Sequence, residues 1–399
     1  MIPIVIQALP RWDGRYASTS CNLAKELSKK RLVFYVDHPF TWKDVKTGDD
    51  RIGTLRPEIW SDEHEPFYRP FPDFPNFISV CPDPSLPVNA LPEGKIYRLL
   101  IRLVNRKIWK VVDQVLWTFK VSEFIYINSF DPVFWGIATE KKVRLKIYHC
   151  VDNMAGERYI AKHGVFAEEK AARSADFTFS TSSALNEKMK AWNLNSFLIP
   201  NAADFSLFSK NVEKIPDDLS LIPEPRIMYT GNIGLRMDMD LIGKMAAEHP
   251  EWNIVLIGPK DLREFNGQNI ENIPNVYFLG SKPYLELPEY LAGASVCIIP
   301  FFPDELTKFI YPLKINEYLG SGKPVVTTRF ADLSEFENVV HITDSHSEFI
   351  DSVQLAIENN SEALTVKRKE FASENTWENR VNQIEYLHSD FLTEESVTP

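Results

Sequence analysis

Residues 307–328, TKFIYPLKINEYLGSGKPVVTT, gather a proline, a lysine and a carboxylate where a helix would begin. Pro312 suits a first helical position, because the N–H it lacks would go unbonded there and its fixed φ is already helical. Leu313, Lys314, Asn316, Glu317, Tyr318 and Leu319 carry the helix on, and Gly320-Ser321-Gly322 ends it before a buried strand at 324–326. An earlier strand closes at Pro300, so the helix starts from a loop at the carboxyl edge of a sheet. The amides and positive dipole end around Tyr311, Pro312 and Leu313 make that start a site for phosphate. Lys314 projects from the same turn, and Glu317, one turn further in, can accept hydrogen bonds from a sugar diol.

A second group follows the strand read at 226–230. Gly231-Asn232-Ile233-Gly234-Leu235-Arg236-Met237-Asp238 is a loop in which glycine lets the backbone approach a phosphate and Arg236 can clamp it with two hydrogen bonds. Lys260 and Lys282, each just past a later strand, are further candidates for a diphosphate or a base. Near the amino terminus, a strand at 2–8 leads into a loop holding Arg11, Gly14 and Arg15, which could meet an acceptor. That loop is not GxGxxG, so no dinucleotide site is read there.

PLKINEYLGSGKPVV, with the loop at Gly231, resembles the donor-binding segments of GT-B glycosyltransferases in the family 4 style. The resemblance is specific between Tyr229 and Val326 and covers most of the chain by element order. It implies two Rossmann-like α/β domains facing a cleft, with a last helix crossing back to the first domain. It implies a nucleotide-sugar donor, more in keeping with UDP than another nucleotide, with Arg236 on the diphosphate, Glu317 on the ribose and backbone near Gly280 on the base. It also places the strand end His149-Cys150-Val151-Asp152 opposite the donor, which makes His149 and Asp152 the catalytic candidates. The resemblance departs at Phe309, where many such enzymes carry a glutamate that touches the donor sugar; Asp304 and Glu305 lie in the same loop. Transfer of a sugar to a glycan or lipid-linked acceptor, with retention at the anomeric carbon, is what it implies. No DxD metal motif presents itself, so no metal or other cofactor is expected, and Arg236, the helix amides and Lys314 or Lys260 must meet the leaving-group charge. The alternatives are a sugar-nucleotide 2-epimerase of the same architecture and a non-catalytic nucleotide-sugar-binding protein.

The elements that must position these groups follow from length and pattern. A chain of 399 residues has room for two domains. They are read as 1–205 on the acceptor side and 206–375 on the donor side, with 376–399 as the crossing helix and a tail. Hydrophobic content of 44% and charged content of 25% belong to a globular protein. No run approaches the length of a membrane span, the start is not signal-like, and the four scattered cysteines read as reduced thiols, so a cytoplasmic protein is expected. Net charge is −11 but uneven: residues 1–200 hold 28 Lys and Arg against 23 Asp and Glu, and 201–399 hold 16 against 32. The acidic second half argues against nucleic acid. Residues 95–120 form a strong amphipathic helix with Arg98, Arg102 and Arg106 on one edge. It either buries its apolar face on the sheet or docks on an anionic membrane, or does both. Residues 38–94, rich in proline and aromatics, read as a long excursion that shapes the acceptor side.

Overall fold

The computed structural model describes residues 1–14, 18–61, 64–156, 161–260, 265, 267 and 270–395. They form two units, Met1–Pro200 with Val381–Pro399, and Asn201–Arg380. The borders read from the sequence were 205/206 and 375/376.

Unit 1 is built on an eight-stranded sheet. In chain order its strands are β1 (Ile4–Ala8), β2 (Val33–Asp37), β3 (Phe67–Tyr68), β4 (Phe77–Val80), β5 (Glu123–Ser129), β6 (Lys142–Cys150), β7 (Phe177–Ser180) and β8 (Ser196–Leu198). They lie in the order β3-β4-β2-β1-β5-β6-β7-β8, parallel except for the β3–β4 pair. Every residue of β1 and β2 is buried, as strands covered by helices on both faces must be. The last helix, Trp377–Glu395, returns to this sheet: its Phe391 ring lies 4.8 Å from Phe177 of β7, and Glu385 pairs with Arg31. Its buried anchors are Val381, Ile384 and His388, and Trp377 is only half-buried.

Residues 131–138 hold a single short turn, Pro132–Phe134. The helix Lys95–Thr118 buries Val104, Ile108, Trp109, Val111, Val112, Val115 and Leu116. Leu99 and Leu103 lie on the outer face at 58% and 45% exposure, with Ile96 at 72% and Trp117 at 78%. The helix therefore has two apolar stripes, one packed and one bare.

Unit 2 carries a six-stranded, wholly parallel sheet. Its strands are β9 (Arg226–Thr230), β10 (Asn253–Ile257), β11 (Val276–Gly280), β12 (Val296–Ile299), β13 (Val325–Thr328) and β14 (His341–Thr343), in the order β11-β10-β9-β12-β13-β14. Strand order reverses between β9 and β12, and ligands of such sheets bind where it does, beyond the carboxyl ends. The loops after β9 and β10 close on each other there. The Gly231 amide donates to Ile257 O at 2.8 Å, and the Ile233 amide to Pro259 O at 2.9 Å. Gly258, at φ +147°, makes this approach possible, since a Cβ there would sit 1.8 Å from the Gly231 carbonyl oxygen.

Gly258→Ala is therefore expected to lower the unfolding free energy of unit 2 by about 3 kcal/mol, combining strained backbone with a backbone clash. Gly280, at φ +69° with open space around it, should cost only about 1 kcal/mol on the same change. Denaturant unfolding of the two variants checks the ranking; equal losses would contradict it.

Candidate functional site

The helix Leu313–Gly320 leaves the sheet of unit 2 after β12. Pro312 is its cap residue, one position before the first turn where the sequence had put it, and it offers no side-chain cap. No acidic residue occupies the first turn, so the helix itself does not neutralise the positive end of its dipole. The Leu313 amide bends back to Tyr311 O at 3.0 Å, and the Ile315 amide goes to Pro312 O at 2.9 Å. The amides of Tyr311 and Lys314 meet no acceptor among the described residues and are the open donors. The Tyr311 side chain turns inward instead, its hydroxyl accepting from Asn316 Nδ2 at 3.0 Å. Tyr318 fixes the helix to the sheet: its hydroxyl accepts from the Thr230 amide, at the end of β9, at 2.9 Å.

Lys314 lies across the β9 loop. A Cβ on Gly231, at φ +142°, would fall 2.1 Å from Lys314 Cε, so only glycine lets the lysine lie there. The ammonium sits 5.8 Å from the Tyr229 ring centre. Burial pushes its pKa down, Glu317 pulls it up, and the nearby charge of Arg236 pushes it down again. Lys314 and Arg236 thus form a cationic pair over the same loop. Arg236 is held there because its carbonyl accepts the Phe302 amide at 3.0 Å, and Asp238 beside it donates to Pro300 O at 2.8 Å. Asn232 points its side chain to solvent and gives its carbonyl to the Tyr229 hydroxyl at 3.0 Å.

Glu317 is 5% exposed. Burial raises its pKa to about 7, against the opposing pull of Lys314 and the Tyr284 hydroxyl. Its carboxylate has no ion pair among the described residues, which leaves acceptor capacity for a ligand.

Other donor-side expectations fare differently. Lys260 is engaged by Glu271 and lies over the Phe265 and Phe278 rings at 4.5 and 4.1 Å, so it is not a free phosphate clamp. Lys282 is likewise bound to Asp218, at 2.6 Å. Gly280 spends its carbonyl on the Gly258 amide at 2.9 Å and keeps an open face. Asp304 caps its own loop, accepting from the Leu306 and Thr307 amides at 2.8 Å, and Glu305 pairs with Lys308 at 89% exposure. Neither stands in for the carboxylate that Phe309 replaces.

In unit 1 the structure overturns His149. The side chain is 1% exposed, stacked 4.2 Å from the Phe179 ring, with Nδ1 bonded to the Ser129 hydroxyl at 2.8 Å. Burial lowers its pKa to about 3, so the ring is uncharged near neutrality. Asp152 is half-buried and accepts from the Asn153 amide at 2.7 Å, as turn carboxylates do. Arg11 is folded back, donating to His38 O at 2.9 Å and lying 3.6 Å over Phe40. Gly14 is an exposed turn residue bonded to Arg11 O, and Arg15 lies outside the described residues. The sequence reading missed a group that does converge: His38, Asp131 and Gln7 meet at the ends of β2, β5 and β1. These residues are far apart in sequence, and only the strand order brings them together.

Comparison with known proteins agrees with this geometry. Residues 224–359 match the family described as glycosyl transferases group 1. TuaH of Bacillus subtilis (strain 168), provisionally named a teichuronic acid biosynthesis glycosyltransferase, is 25% identical over 208 residues, 50% of this chain and 52% of its own. The chain thus spans about half the length of that curated relative. Among solved structures, sucrose-phosphate synthase of Thermosynechococcus elongatus superposes with a TM-score of 0.69 at 14% identity, over 99% of this chain and 100% of its own. Anabaena HepE, in complex with UDP and glucose, gives 0.64 at 13%, over 98% and 100%. The E. coli trehalose-6-phosphate protein bound with UDP-2-fluoro glucose gives 0.67 at 9%, over 98% and 99%. Residues 224–359 accordingly belong to the glycosyl transferases group 1 family, on a chain with the GT-B fold.

Proposed function

We propose that the chain is a glycosyltransferase that moves a sugar from a UDP-linked donor, held by unit 2, to a hydroxyl of a glycan or lipid-linked acceptor. The observation that carries this is the unpaired, buried carboxylate of Glu317, one turn beyond open amides flanked by Lys314 and Arg236. A ribose diol can donate to the carboxylate of Glu317, and a diphosphate carries the charge that suits the open amides and Lys314, with Arg236 beside them. In this reading the cations and amides stabilise the departing diphosphate and no metal is required. Retention at the anomeric carbon, polysaccharide assembly and the choice of UDP belong to the same proposal. They are supported by the family match, by the name of TuaH, and by relatives of the same fold bound to UDP or UDP-glucose. The epimerase alternative keeps only Asp152 of its two acid–base candidates, since His149 is 1% exposed.

The proposal extends to the bare stripe of Lys95–Thr118. Six basic residues against one acidic, in a chain of net charge −11, flank Ile96, Leu99 and Leu103. An anionic membrane surface fits this face, at roughly 1 kcal/mol for each basic residue near it. No helix among the described residues is long and apolar enough to cross a membrane.

Removing a charged contact costs about 1.5–3 kcal/mol. Arg236→Ala and Lys314→Ala should therefore each weaken UDP roughly ten- to hundredfold and leave uridine affinity unchanged. Titration calorimetry with both ligands checks this; equal losses for uridine would place the residues elsewhere.

Glu317→Gln should weaken both uridine and UDP. The pKa of Glu317 is raised from 4.5 to about 7. The folded chain therefore binds more protons than the unfolded one between those values. The contribution of Glu317 to stability is full below about 4.5 and is lost as pH rises through about 7. Ribose favours the ionised form, so uridine affinity should rise over the same window in the wild type and stay flat in Glu317→Gln.

Leu99→Glu with Leu103→Glu should abolish co-sedimentation with phosphatidylglycerol vesicles while UDP affinity is kept. Undiminished sedimentation would remove the membrane surface from the proposal.

A further inference from the structure

The carboxyl ends of β1, β2 and β5 are neighbours in unit 1, and a polar cluster forms across them. Asp131, 2% exposed, stands two residues past β5. Its Oδ2 accepts from Gln7 Nε2 at 2.8 Å and from His38 Nδ1 at 3.0 Å. Asn128 locks the turn that carries the carboxylate: its Oδ1 accepts from the Asp131 amide at 3.0 Å, and its Nδ2 donates to the Asp131 carbonyl at 2.9 Å. A carboxylate only accepts, so the imidazole proton lies on Nδ1 and the lone pair on Nε2. Nothing among the described residues bonds to Nε2, and the His38 side chain keeps 20% exposure. The ring is braced by Phe134, at 5.3 Å between centroids, and by the Arg11 bond to the His38 carbonyl.

A histidine that served only the fold would spend both nitrogens or bury the unused one. Here three buried groups fix one nitrogen and the other is left as an outward acceptor. A cavity of about 620 Å³ in the same unit is lined by Trp12, Asp13, Arg51, Arg56, Tyr68 and Arg69 among others. Arg56 in its wall pairs with Asp37, the residue before His38, at 3.1 Å. Aromatic rings beside an arginine-rich wall suit a saccharide.

We propose that His38 Nε2 accepts the hydrogen bond of the attacking hydroxyl, on an acceptor sugar or on water, and so aims its lone pair. Asp131 and Gln7 hold the tautomer without touching the substrate. The proposal rests on the glycosyl-transfer reading above. The charged groups around the ring are Asp131, Arg11 and the Asp37–Arg56 pair.

The test is UDP release from UDP-glucose, with water alone and with glucose or N-acetylglucosamine added, for wild type, His38→Ala and His38→Gln. His38→Ala should be slower by about tenfold or more with unchanged UDP affinity, the scale of one lost hydrogen bond to a reacting group. In His38→Gln the side-chain amide can donate to Asp131 and its oxygen can accept. It should recover most of the rate. An Ala variant at the wild-type rate overturns the assignment. So does a Gln variant that melts normally yet is no faster than Ala. A wild type that releases no UDP removes the transfer reading, and the role of His38 with it. Normal UDP affinity and turnover in every variant removes His38 alone.

Discussion

Two opposite charges one helical turn apart, Lys314 and Glu317, are held largely out of water without closing on each other. That constraint organises unit 2. Burial lowers the basicity of the lysine and raises the pKa of the acid, so each is pushed toward its neutral form. A fold selected for stability alone would pair them or replace both with apolar side chains. Keeping them apart makes sense where a ligand arrives with complementary charge on one side and hydroxyls on the other. Free energy stored in the empty site is then recovered on binding.

The apposition of the two charges depends on backbone more than on side chains. Lys314 can lie over the β9 loop only because Gly231 has no Cβ, and Gly231 holds its place only because Gly258 lets the next loop close against it. Tyr318 then ties the helix to the end of β9. Each of these is a short-range contact at the carboxyl edge of a parallel sheet. Together they convert a generic strand–loop–helix into a cradle whose open amides are those of Tyr311 and Lys314.

Such local features were legible in the sequence, and longer-range ones were not. Strand β9 was read at its observed bounds because buried parallel strands are largely apolar runs. Glu317, Lys314, Gly231 and Arg236 were legible because each lies within a single strand–loop–helix whose spacing fixes its neighbours. His149 was misread because a strand end can turn a side chain to solvent or core, and only the Phe179 stack and the Ser129 hydroxyl decide it. Lys260 and Asp304 were misread for a related reason: a charge in a loop has no spacing rule to exclude a local partner such as Glu271 or the Thr307 amide. The outer stripe of Lys95–Thr118 was merged with the inner one because both repeat at helical period, and only packing separates them.

The cluster at His38 shows why strand order carries information that spacing lacks. Asp131 is 93 residues from His38 and 124 from Gln7. No local pattern links them, and each alone is an ordinary polar residue at a strand end. Placing β1 between β2 and β5 sets their ends in one row, and a buried carboxylate there must find donors from both sides. The donors it finds are an amide that can do nothing else and an imidazole that keeps a second nitrogen. The hydrogen bond that the buried Asp131 demands therefore also decides which nitrogen of the neutral ring carries the proton, and leaves the lone pair on Nε2.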